Sequence, residues 1–504
     1  MFKCLPAPLA TPREYHRLTN RIANALRTTL GVGEGDKFLL ILENDNLSLL
    51  SLPCFLKQPG TAAMTNLRDS QNEHAWQIDL IKPKIVFIEN RLLDGYYDML
   101  RGRGCQIVVM DPLPAPREGV WDLPTLTATA SDTDNDVELD IHRHVALLRF
   151  TGGTTGRGKC AAYSVDNLIA ARDAALAHPG LELDHHTRFL VVTPLSHAGL
   201  LAFLPTFFLG GTNVTLNQLD LEQWADTVEA ERVTHSLLVP TVLYRLLELQ
   251  RLRPRHFLSL RTILYGAAPM SPTKLAELLQ CFGPIFAQGY GATEAAMFVS
   301  ILDKGDHRTD DDAALKRMSS AGRVTPGAEV FICGEDGREL PTGEIGEIRI
   351  RCRALIQGYF GNAEGTAAEF VDGAWKSGDL GYLDEGGYLF IVDRLKDMII
   401  TGGFNVYAVE VEAALMSHPA VAMVAVVGLP HPEWGEAVHA EVVLRSGASV
   451  TAAELLAHAK ERIGTYKAPK TVTFVDALPT SVVGKVIRRK VKEKYWKNAD
   501  RGVS

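Results

Sequence analysis

The chain has 504 residues, of which 46% are hydrophobic and 22% charged, and its formal net charge is −8. This length predicts two or more domains, and the mild acidic balance gives no electrostatic reason to expect nucleic acid or an anionic membrane as a partner. The seven cysteines include no C-x-x-C pair, and no apolar run has the length of a membrane span. We therefore expect no zinc site, no disulfide framework and no membrane span, and we expect a cytoplasmic protein.

Predicted helices and strands alternate over roughly the first 325 residues. The residues from Thr11 to Glu14 fit a capping box, with Pro12 at the first helical position and apolar residues at helical spacing behind it. Continuously apolar runs of strand length follow, and most are separated by segments long enough for a crossover helix. This pattern predicts parallel strands buried on both faces in a doubly wound α/β body. The runs cover residues 38–42, 84–89, 106–111, 145–150, 235–240 and 261–266.

The sequence changes in character after about residue 325. Short strands with glycine turns predict a β-rich subdomain over about 325–395. Beyond it, strands alternate with helices, and a second capping box runs from Thr451 to Glu454. We predict an N-terminal domain over 1–395 and a small α+β C-terminal domain over 396–504. The polar stretches 131–140 and 303–316 are predicted to be solvated loops.

The stretch FTGGTTGRGKC, residues 150–160, fits seven of the eight positions of a Walker A phosphate loop. Cys160 stands where that loop needs Ser or Thr for magnesium. The CAAYS that follows Lys159 leaves room for a further strand before the next helix. The threonines Thr151, Thr154 and Thr155, together with four glycines and the lysine, are well suited to phosphate oxygens. We therefore predict a phosphate loop of a different kind.

This loop resembles the signature of the adenylate-forming (ANL) superfamily, which comprises acyl-CoA synthetases, luciferases and peptide-synthetase adenylation domains. Further stretches resemble the family's motifs in the family's order over residues 150–490. They are PLSH (194–197), GAAP (266–269), YGATE (290–294), WKSGD (375–379), DRLKD (393–397), GGFNV (402–406) and GK (484–485). The resemblance implies a large N-terminal AMP-binding domain, a mobile C-terminal domain and activation of a carboxylic acid as acyl-AMP.

The resemblance also implies a nucleotide site. Because the carboxylate and ATP are both anionic, catalysis depends mainly on positioning and charge neutralisation. Lys485 is implied as the catalytic lysine at the bridging oxygen, Thr293 as a donor to the α-phosphate and Glu294 as the magnesium ligand. The other implied ATP- and AMP-binding residues are Thr151, Gly153, Thr154, Thr155, Gly156, Lys159, Gly266, Ala267, Ala268, Tyr290, Gly291, Asp379 and Arg394.

For the second step, the resemblance implies rotation of the C-terminal domain about a hinge at Lys396. Gly402 and Gly403 would shape the tunnel for the thiol. Tyr466 and Lys467 would contact the nucleotide of coenzyme A, where a cation suits the phosphates. Two positions depart from the family pattern: Gly158 replaces the proline before the loop lysine, and Phe404 replaces a glutamate. The second departure leaves the geometry of coenzyme A entry open.

The carboxylic acid is less well determined. Most of the candidate pocket residues are apolar, and the small ones leave room for a bulky fatty, alicyclic or aromatic acid. No arginine stands where it would receive a second carboxylate. His197 is implied as a catalytic residue that gates this pocket, although a structural role is equally consistent with the sequence. The candidate pocket residues are His197, Ala198, Gly199, Pro240, Gly266, Ala267, Met297 and Phe298.

We expect an acid–thiol ligase that uses ATP, Mg²⁺ and coenzyme A, with a small-molecule carboxylic acid as substrate. Two alternatives stay open: an adenylating enzyme that loads a separate carrier protein, and a catalytically silent nucleotide-binding homologue. The complete set of Lys159, Glu294, Asp379, Arg394 and Lys485 argues against the silent homologue. Whether the chain forms a homo-oligomer is open at this level.

Overall fold

Four β-sheets organise the part of the chain that the computed structural model describes, which is residues 2–4, 11–151, 158–249, 257–296, 298–481 and 484–496. Two of these sheets have eight strands and two have five. Five of the predicted site residues lie outside the described residues: Gly153, Thr154, Thr155, Gly156 and Met297. None of the helices within these ranges is both long and apolar enough to cross a membrane.

The first eight-stranded sheet, sheet I, has a parallel centre and an antiparallel edge. Its strands are β2 (Lys37–Ile41), β3 (Thr61–Met64), β4 (Ile85–Ile88), β5 (Gln106–Val109), β6 (Val120–Asp122), β7 (Val145–Phe150), β8 (Cys160–Ser164) and β18 (Gly358–Tyr359). They lie in the order β18-β8-β7-β3-β2-β4-β5-β6. β8 runs antiparallel to β7, and β18 antiparallel to β8.

The second eight-stranded sheet, sheet II, is built on the same plan. Its strands are β1 (Phe2–Cys4), β9 (Arg188–Val191), β10 (Thr212–Thr215), β11 (His235–Leu238), β12 (Thr262–Gly266), β13 (Phe286–Tyr290), β14 (Ser300–Leu302) and β15 (Arg323–Val324). Their order is β1-β10-β9-β11-β12-β13-β14-β15. Neighbouring strands from β1 to β13 in this order are parallel. β14 runs antiparallel to β13, and β15 runs antiparallel to β14.

Helices that accompany sheets I and II form three layers around them. The bounds of these helices are α1 (Pro12–Thr28), α2 (Asn44–Leu56), α3 (Gln71–Ile81), α4 (Leu93–Arg101), α5 (Leu123–Ala128), α6 (Val165–Ala177), α7 (Leu200–Phe208), α8 (Leu221–Ala230), α9 (Pro240–Leu247), α10 (Pro272–Phe282), α11 (Asp312–Arg317) and α12 (Ala363–Glu369). Helices α2, α6 and α7 lie between the sheets, α3 and α4 cover the outer face of sheet I, and α8 to α10 cover that of sheet II.

The continuous apolar runs follow from this layering. In β2, Phe38 and Leu40 belong to the core between the sheets, whereas Leu39 and Ile41 belong to the outer core under α3 and α4. Successive strand residues point to opposite faces, so a strand covered on both sides needs apolar residues at every position. The predicted doubly wound α/β architecture is confirmed.

The two five-stranded sheets form the last third of the chain. Sheet III is antiparallel and consists of β16 (Ala328–Cys333), β17 (Gly346–Cys352), β19 (Phe370–Val371), β20 (Ala374–Leu383) and β21 (Leu389–Arg394). Sheet IV consists of β22 (Ile399–Thr401), β23 (Phe404–Val406), β24 (Val421–His431), β25 (Gly435–Leu444) and β26 (Thr471–Phe474). It packs with α13 (Ala408–Met416), α14 (Ala452–Ile463) and α15 (Arg488–Trp496). The predicted boundary at Lys396 falls in the turn between these sheets.

The prediction of a solvated loop over 303–316 is wrong in part. Helix α11 begins within it, because the Asp311 side chain accepts a hydrogen bond from the Ala314 amide at 2.6 Å. Ala314 on this helix and Met318 at its C-terminal end are buried. His307 is also buried, and its Nε2 lies 2.8 Å from the Tyr265 hydroxyl. The acidic segment contains an N-cap residue and a few isolated core residues. Hydropathy averaged over the whole segment does not detect them, because most of its residues are polar.

Candidate active site

The predicted phosphate loop joins β7 to β8 as the connection of an antiparallel pair. The Thr151 amide donates to the Lys159 carbonyl oxygen at 2.8 Å, and the Lys159 amide donates to Thr151 Oγ1 at 3.2 Å. β8 begins at Cys160, whose thiol is buried, and α6 begins only at Val165. A Walker loop leads directly from its lysine into a helix. The strand after Lys159 therefore excludes a Walker loop, as the sequence predicts.

The Lys159 ammonium group is held by residues that sequence reasoning missed. Its Nζ forms an ion pair with the Glu369 carboxylate and lies 4.5 Å from the centroid of the Tyr359 ring. The other Glu369 oxygen accepts from the Tyr359 hydroxyl at 2.6 Å and from Trp375 Nε1 at 3.4 Å. Glu369 lies six residues before Trp375 of the WKSGD stretch, but nothing local in the sequence connects it to a lysine 210 residues away.

The predicted metal ligand Glu294 belongs to the same group of side chains. Its Oε1 lies 3.0 Å from the Tyr359 hydroxyl, so one phenol lies between the carboxylates of Glu294 and Glu369. Burial raises the pKa of Glu294, and the charge on Glu369 adds to that shift. A divalent cation would offset both effects, and carboxylate oxygens are ligands that Mg²⁺ prefers. The residues present at this position therefore fit the implied ion.

The predicted adenine-binding segment lies where β12 and β13 run side by side. Gly266 and Gly289 are register partners, and a Cβ added to Gly266 would lie 2.1 Å from the Gly289 carbonyl oxygen. Ala267 follows with a φ of +65°, a left-handed conformation that is uncommon for a residue with a side chain. Ala268 and Gly291 continue the two segments. Close approach of the two backbones explains the small residues here.

The predicted ribose-binding pair is held by the register of sheet III. Asp379 on β20 lies opposite Arg394 on β21, and Arg394 Nε is 3.4 Å from Asp379 Oδ1. The Tyr290 hydroxyl at the end of β13 donates to Asp379 Oδ2 at 2.7 Å. Burial, followed by the Asp379 charge, raises the pKa of Tyr290 well above its usual value, so the phenol keeps its proton. The structure thus brings three predicted residues together.

The candidate acyl pocket is only partly as the sequence predicts. Phe298 is buried and packs against Gly289, where an added Cβ would lie 2.4 Å from Phe298 Cδ1. Pro240 is buried at the start of α9, and Ala198 packs against the core between the sheets. A Cβ added to Gly199 would lie 2.4 Å from the Thr193 carbonyl oxygen. The glycine is therefore required by the packing of its own loop, and the expectation that it leaves room for a bulky acid is wrong.

His197 lies close to two cations, Arg149 and Lys485. Its Nδ1 is 3.0 Å from the Ser196 hydroxyl, and burial together with the charges of Arg149 and Lys485 lowers its pKa to about 3. His197 is therefore a neutral imidazole at neutral pH. Arg149 on β7 donates from Nε and Nη2 to the Ser196 carbonyl oxygen at 3.2 and 3.1 Å. The sequence shows no arginine placed to receive a second carboxylate, and it gives no signal that Arg149 lies against the loop that carries His197.

Gly484 and Lys485 (the lysine segment), in the C-terminal part of the chain, lie close to the loop that carries His197. Burial lowers the pKa of Lys485 to about 8; the neighbouring Arg394 charge adds to this shift and Asp379 opposes it. The Thr241 hydroxyl on α9 donates to the Gly484 carbonyl oxygen at 2.6 Å. Gly484 has a φ of +83°, which favours glycine at this turn. Lys485 is thus held beside His197, Asp379 and Arg394 by a contact between distant parts of the chain.

A second contact joins the C-terminal part to the helices beneath it. Arg445, just after β25, donates from Nη2 to both carboxylate oxygens of Glu277 on α10, at 2.7 and 2.9 Å. Arg445 Nε lies 3.9 Å from Glu248 Oε1 at the end of α9. Because α9 contacts the lysine segment at Thr241, the pair formed by α9 and α10 contacts the C-terminal part at two separate points.

The predicted hinge and the coenzyme A residues lie on one side of sheet IV. Lys396 is exposed in the turn between β21 and β22. Gly402 and Gly403 have φ values of +58° and +82° and form the two-residue turn between β22 and β23, a conformation that by itself accounts for a glycine pair. Lys467 pairs with Glu410 at 2.6 Å, and the exposed rings of Phe404 and Tyr466 lie 5.3 Å apart.

Comparison with known proteins defines the class. A family model described as AMP-binding enzyme matches residues 10–360, and one described as AMP-binding enzyme C-terminal domain matches residues 410–485. Since the first match alone spans more than half of the chain, the chain belongs to the family of adenylate-forming, AMP-binding enzymes. The resemblance found in the motifs is confirmed.

Two of the similar curated proteins are acid–CoA ligases. The chain is 39% identical over 433 residues to a medium/long-chain fatty acid–CoA ligase of Mycobacterium tuberculosis, covering 84% of this chain and 74% of that protein. It is 40% identical over 353 residues to a feruloyl-CoA synthase of Amycolatopsis, covering 70% of each. One relative therefore acts on a fatty acid and the other on an aromatic acid.

A solved structure agrees over nearly the whole chain. ATP-bound MatB from Rhodopseudomonas palustris is 30% identical and has a TM-score of 0.88, with 99% of this chain and 95% of that chain covered. The TM-score to the apo form of the same protein is 0.79, at 29% identity and similar coverage. The present arrangement therefore resembles the ATP-bound form more than the apo form.

Proposed function

We propose that this chain is an ATP-dependent acid–thiol ligase of the AMP-forming type. In the first step, an oxygen of the substrate carboxylate bonds to the α-phosphorus of ATP and the bond to the leaving oxygen breaks, which releases pyrophosphate. In the second step, the sulfur of coenzyme A bonds to the acyl carbon, AMP leaves and the thiol proton is released. The observation that carries the proposal is the position of Lys485 beside His197, Asp379 and Arg394.

Lys485 supplies the charge for the first step. Because the pKa of Lys485 is about 8, its side chain is protonated in most molecules at pH 7. The cation neutralises the oxygen shared by the carboxylate and the α-phosphate, where negative charge gathers in the transition state. Because His197 is neutral, its ring offers the substrates a hydrogen bond without adding a charge. Thr293, whose carbonyl oxygen is held by the Tyr163 hydroxyl at 2.5 Å, donates to the α-phosphate.

The nucleotide is held at both ends. Thr151 and Lys159 contact the pyrophosphate end together with the loop residues Gly153, Thr154, Thr155 and Gly156. Asp379 accepts from the ribose hydroxyls, and two side chains from two sheets, Tyr290 and Arg394, hold its carboxylate in place for this. Gly266, Ala267 and Ala268 admit the adenine ring, with Gly291 behind Tyr290.

Glu294 is the proposed magnesium ligand. No group of three or more His, Cys, Asp or Glu side chains in the described ranges is arranged to hold a metal. Mg²⁺ in nucleotide sites is bound by one or two carboxylates together with phosphate oxygens and water, so Glu294 alone is a sufficient protein ligand. When bound, the ion neutralises phosphate charge and fixes the geometry of the leaving pyrophosphate. The Tyr359 hydroxyl donates to Glu294 Oε1 and so fixes the orientation of the proposed ligand.

For the second step, we propose that the C-terminal part rotates about Lys396. Lys485 then leaves the site, and the turn at Gly402 and Gly403 takes its place beside the acyl group. The ammonium of Lys467 faces the phosphates of coenzyme A with Tyr466 beside it. Phe404, exposed next to Tyr466, enlarges the aromatic surface where family members carry a glutamate.

We propose a monocarboxylic acid with a largely apolar body as the substrate. The apolar side chains of Phe298, Pro240 and Ala198 support this class, and relatives act on both fatty and aromatic acids. Gly199 adds no volume to the pocket. A ligand that carries its apolar part into such a pocket gains about 25 cal/mol for each Å² that it buries.

The proposal is tested by pyrophosphate release from ATP across a panel of fatty, alicyclic and aromatic acids, with and without coenzyme A. We expect release with one acid class and the matching acyl-CoA when coenzyme A is present. Lys485→Ala is the matched control and should release pyrophosphate slowly. It should still form the thioester from supplied acyl-adenylate. Pyrophosphate release that never leads to acyl-CoA would point instead to an enzyme that loads a carrier protein.

A further inference from the structure

A buried arginine at the end of β7, Arg149, has no part in the function proposed above. Only 6% of the residue is exposed. Its hydrogen bonds run from Nε and Nη2 to the Ser196 carbonyl oxygen. Among the residues that the structure describes, no carboxylate lies within ion-pair distance of it. Because a guanidinium keeps its proton inside proteins, Arg149 carries a full positive charge with no matching anion.

Three segments that carry predicted site residues meet around Arg149. Ser196, its hydrogen-bond acceptor, immediately precedes His197. Its Cζ lies 5.7 Å from the centroid of the Tyr163 ring, and the Tyr163 hydroxyl holds the Thr293 carbonyl oxygen. Thr151, the first residue of the phosphate loop, follows two residues later in the chain. Arg149 therefore lies between the loops predicted to contact the acid, the α-phosphate and the pyrophosphate.

A buried cation without a partner is costly. Removing a charged group from water costs several kcal/mol even after the surroundings relax, and one carbonyl oxygen offsets only part of that cost. Buried charges in proteins are therefore usually paired, or the partner arrives with a ligand. Two anionic groups enter this region in the proposed reaction: the carboxylate of the acid and the α-phosphate of ATP.

We propose that Arg149 is a further substrate-binding residue, whose guanidinium binds an anionic oxygen of the reacting substrates. The identity of that anion rests on the proposed function. The carboxylate and the α-phosphate share the relevant chemistry, since both present oxygens that a guanidinium can contact with two parallel N–H groups. Arg149 would then add a second cation to Lys485 close to the neutral His197.

The experiment compares Arg149→Met and Arg149→Lys with the wild-type chain. Methionine keeps the unbranched apolar stem of the side chain without its charge, and lysine keeps the charge without the two parallel N–H groups. Arg349→Met is the matched control, because Arg349 is half-buried and paired with Glu347 at 3.4 Å in sheet III, away from these segments. Three quantities are measured: KM and kcat of adenylation for acid and for ATP, calorimetric affinity for α,β-methylene-ATP, and the melting temperature.

For Arg149→Met we expect kcat/KM of adenylation to fall about 30- to 100-fold, the usual loss for one charge-assisted hydrogen bond to substrate. Arg149→Lys should recover part of it. The melting temperature of Arg149→Met should not fall, because the substitution removes an unpaired buried charge. A rise in KM for the acid alone identifies the carboxylate as the anion. A weaker affinity for α,β-methylene-ATP identifies the phosphate.

Two results would overturn the proposal. One is unchanged adenylation kinetics and unchanged affinity for the analogue in Arg149→Met. The other is a lower melting temperature with activity lost equally in Arg149→Met and Arg349→Met, which would make Arg149 a structural residue. Failure of the proposed function is recognised separately, as a wild-type chain that adenylates no acid. The affinity for the analogue then still decides whether Arg149 binds phosphate.

Discussion

Replacing Lys485 with arginine should change the pH dependence of adenylation in a way that the structure specifies. The pKa of Lys485 is about 8, so its protonated fraction falls from about 0.9 at pH 7 to about 0.1 at pH 9. If the proposed step needs the cation, the wild-type kcat/KM falls about tenfold over that interval. Arginine stays protonated to above pH 12, so Lys485→Arg should lose this dependence even if its absolute rate is lower.

The assay is ATP–pyrophosphate exchange at saturating magnesium, measured between pH 6.5 and 9.5 at low acid concentration so that kcat/KM is read. His197 does not interfere, because its pKa of about 3 lies far outside this interval. Thioester formation from supplied acyl-adenylate is followed over the same interval and should not show the fall. A wild-type profile that stays flat, or an identical fall in Lys485→Arg, would show that Lys485 does not supply the charge.

Four further substitutions test other parts of the site. Lys396→Pro, which fixes one backbone angle at the proposed hinge, should keep adenylation and lower thioester formation by about tenfold or more; equal loss in both steps would contradict a hinge there. Tyr290→Phe removes the hydrogen bond to Asp379 and should raise KM for ATP about fivefold, with KM for the acid unchanged. Glu277→Gln breaks the ion pair with Arg445 and should slow adenylation but not thioester formation, whereas Glu329→Gln, in the exposed pair with Arg351, should change neither. Gly266→Ala places a Cβ against the Gly289 carbonyl oxygen and should lower the free energy of unfolding by about 2 kcal/mol or more in chemical denaturation, while Gly305→Ala, which has open space around it, should not.

Much of the fold could be predicted because its signals are local. The capping boxes at Thr11 and Thr451 are present with both reciprocal hydrogen bonds. The strand after Lys159, which separates this loop from a Walker loop, follows from the CAAYS segment, and the buried strands follow from their unbroken hydrophobicity. Such features depend on a few neighbouring residues, so the sequence determines them directly.

The remaining features depend on contacts between distant segments. Glu369 meets Lys159 across 210 residues, and Arg445 meets Glu277 across 168. No periodicity or motif links the members of either pair, since each is brought together only by the packing of whole sheets and helices. The role of Gly199 depends on such a contact as well. A glycine beside a predicted pocket residue can make room for a ligand or be required by the packing of its own loop. The position of the Thr193 carbonyl oxygen decides between these two roles.

If Lys159 binds phosphate as proposed, its ion pair with Glu369 makes that contact selective before any substrate arrives. A ligand gains this lysine only by displacing a carboxylate that is part of the same molecule and so competes at a high effective concentration. A small monoanion, with one contact to offer, competes poorly against such a tethered rival. A nucleoside triphosphate competes well, because its contacts elsewhere in the site add to those with the lysine. On that proposal, the unliganded site favours ligands with several anchoring points over simple anions.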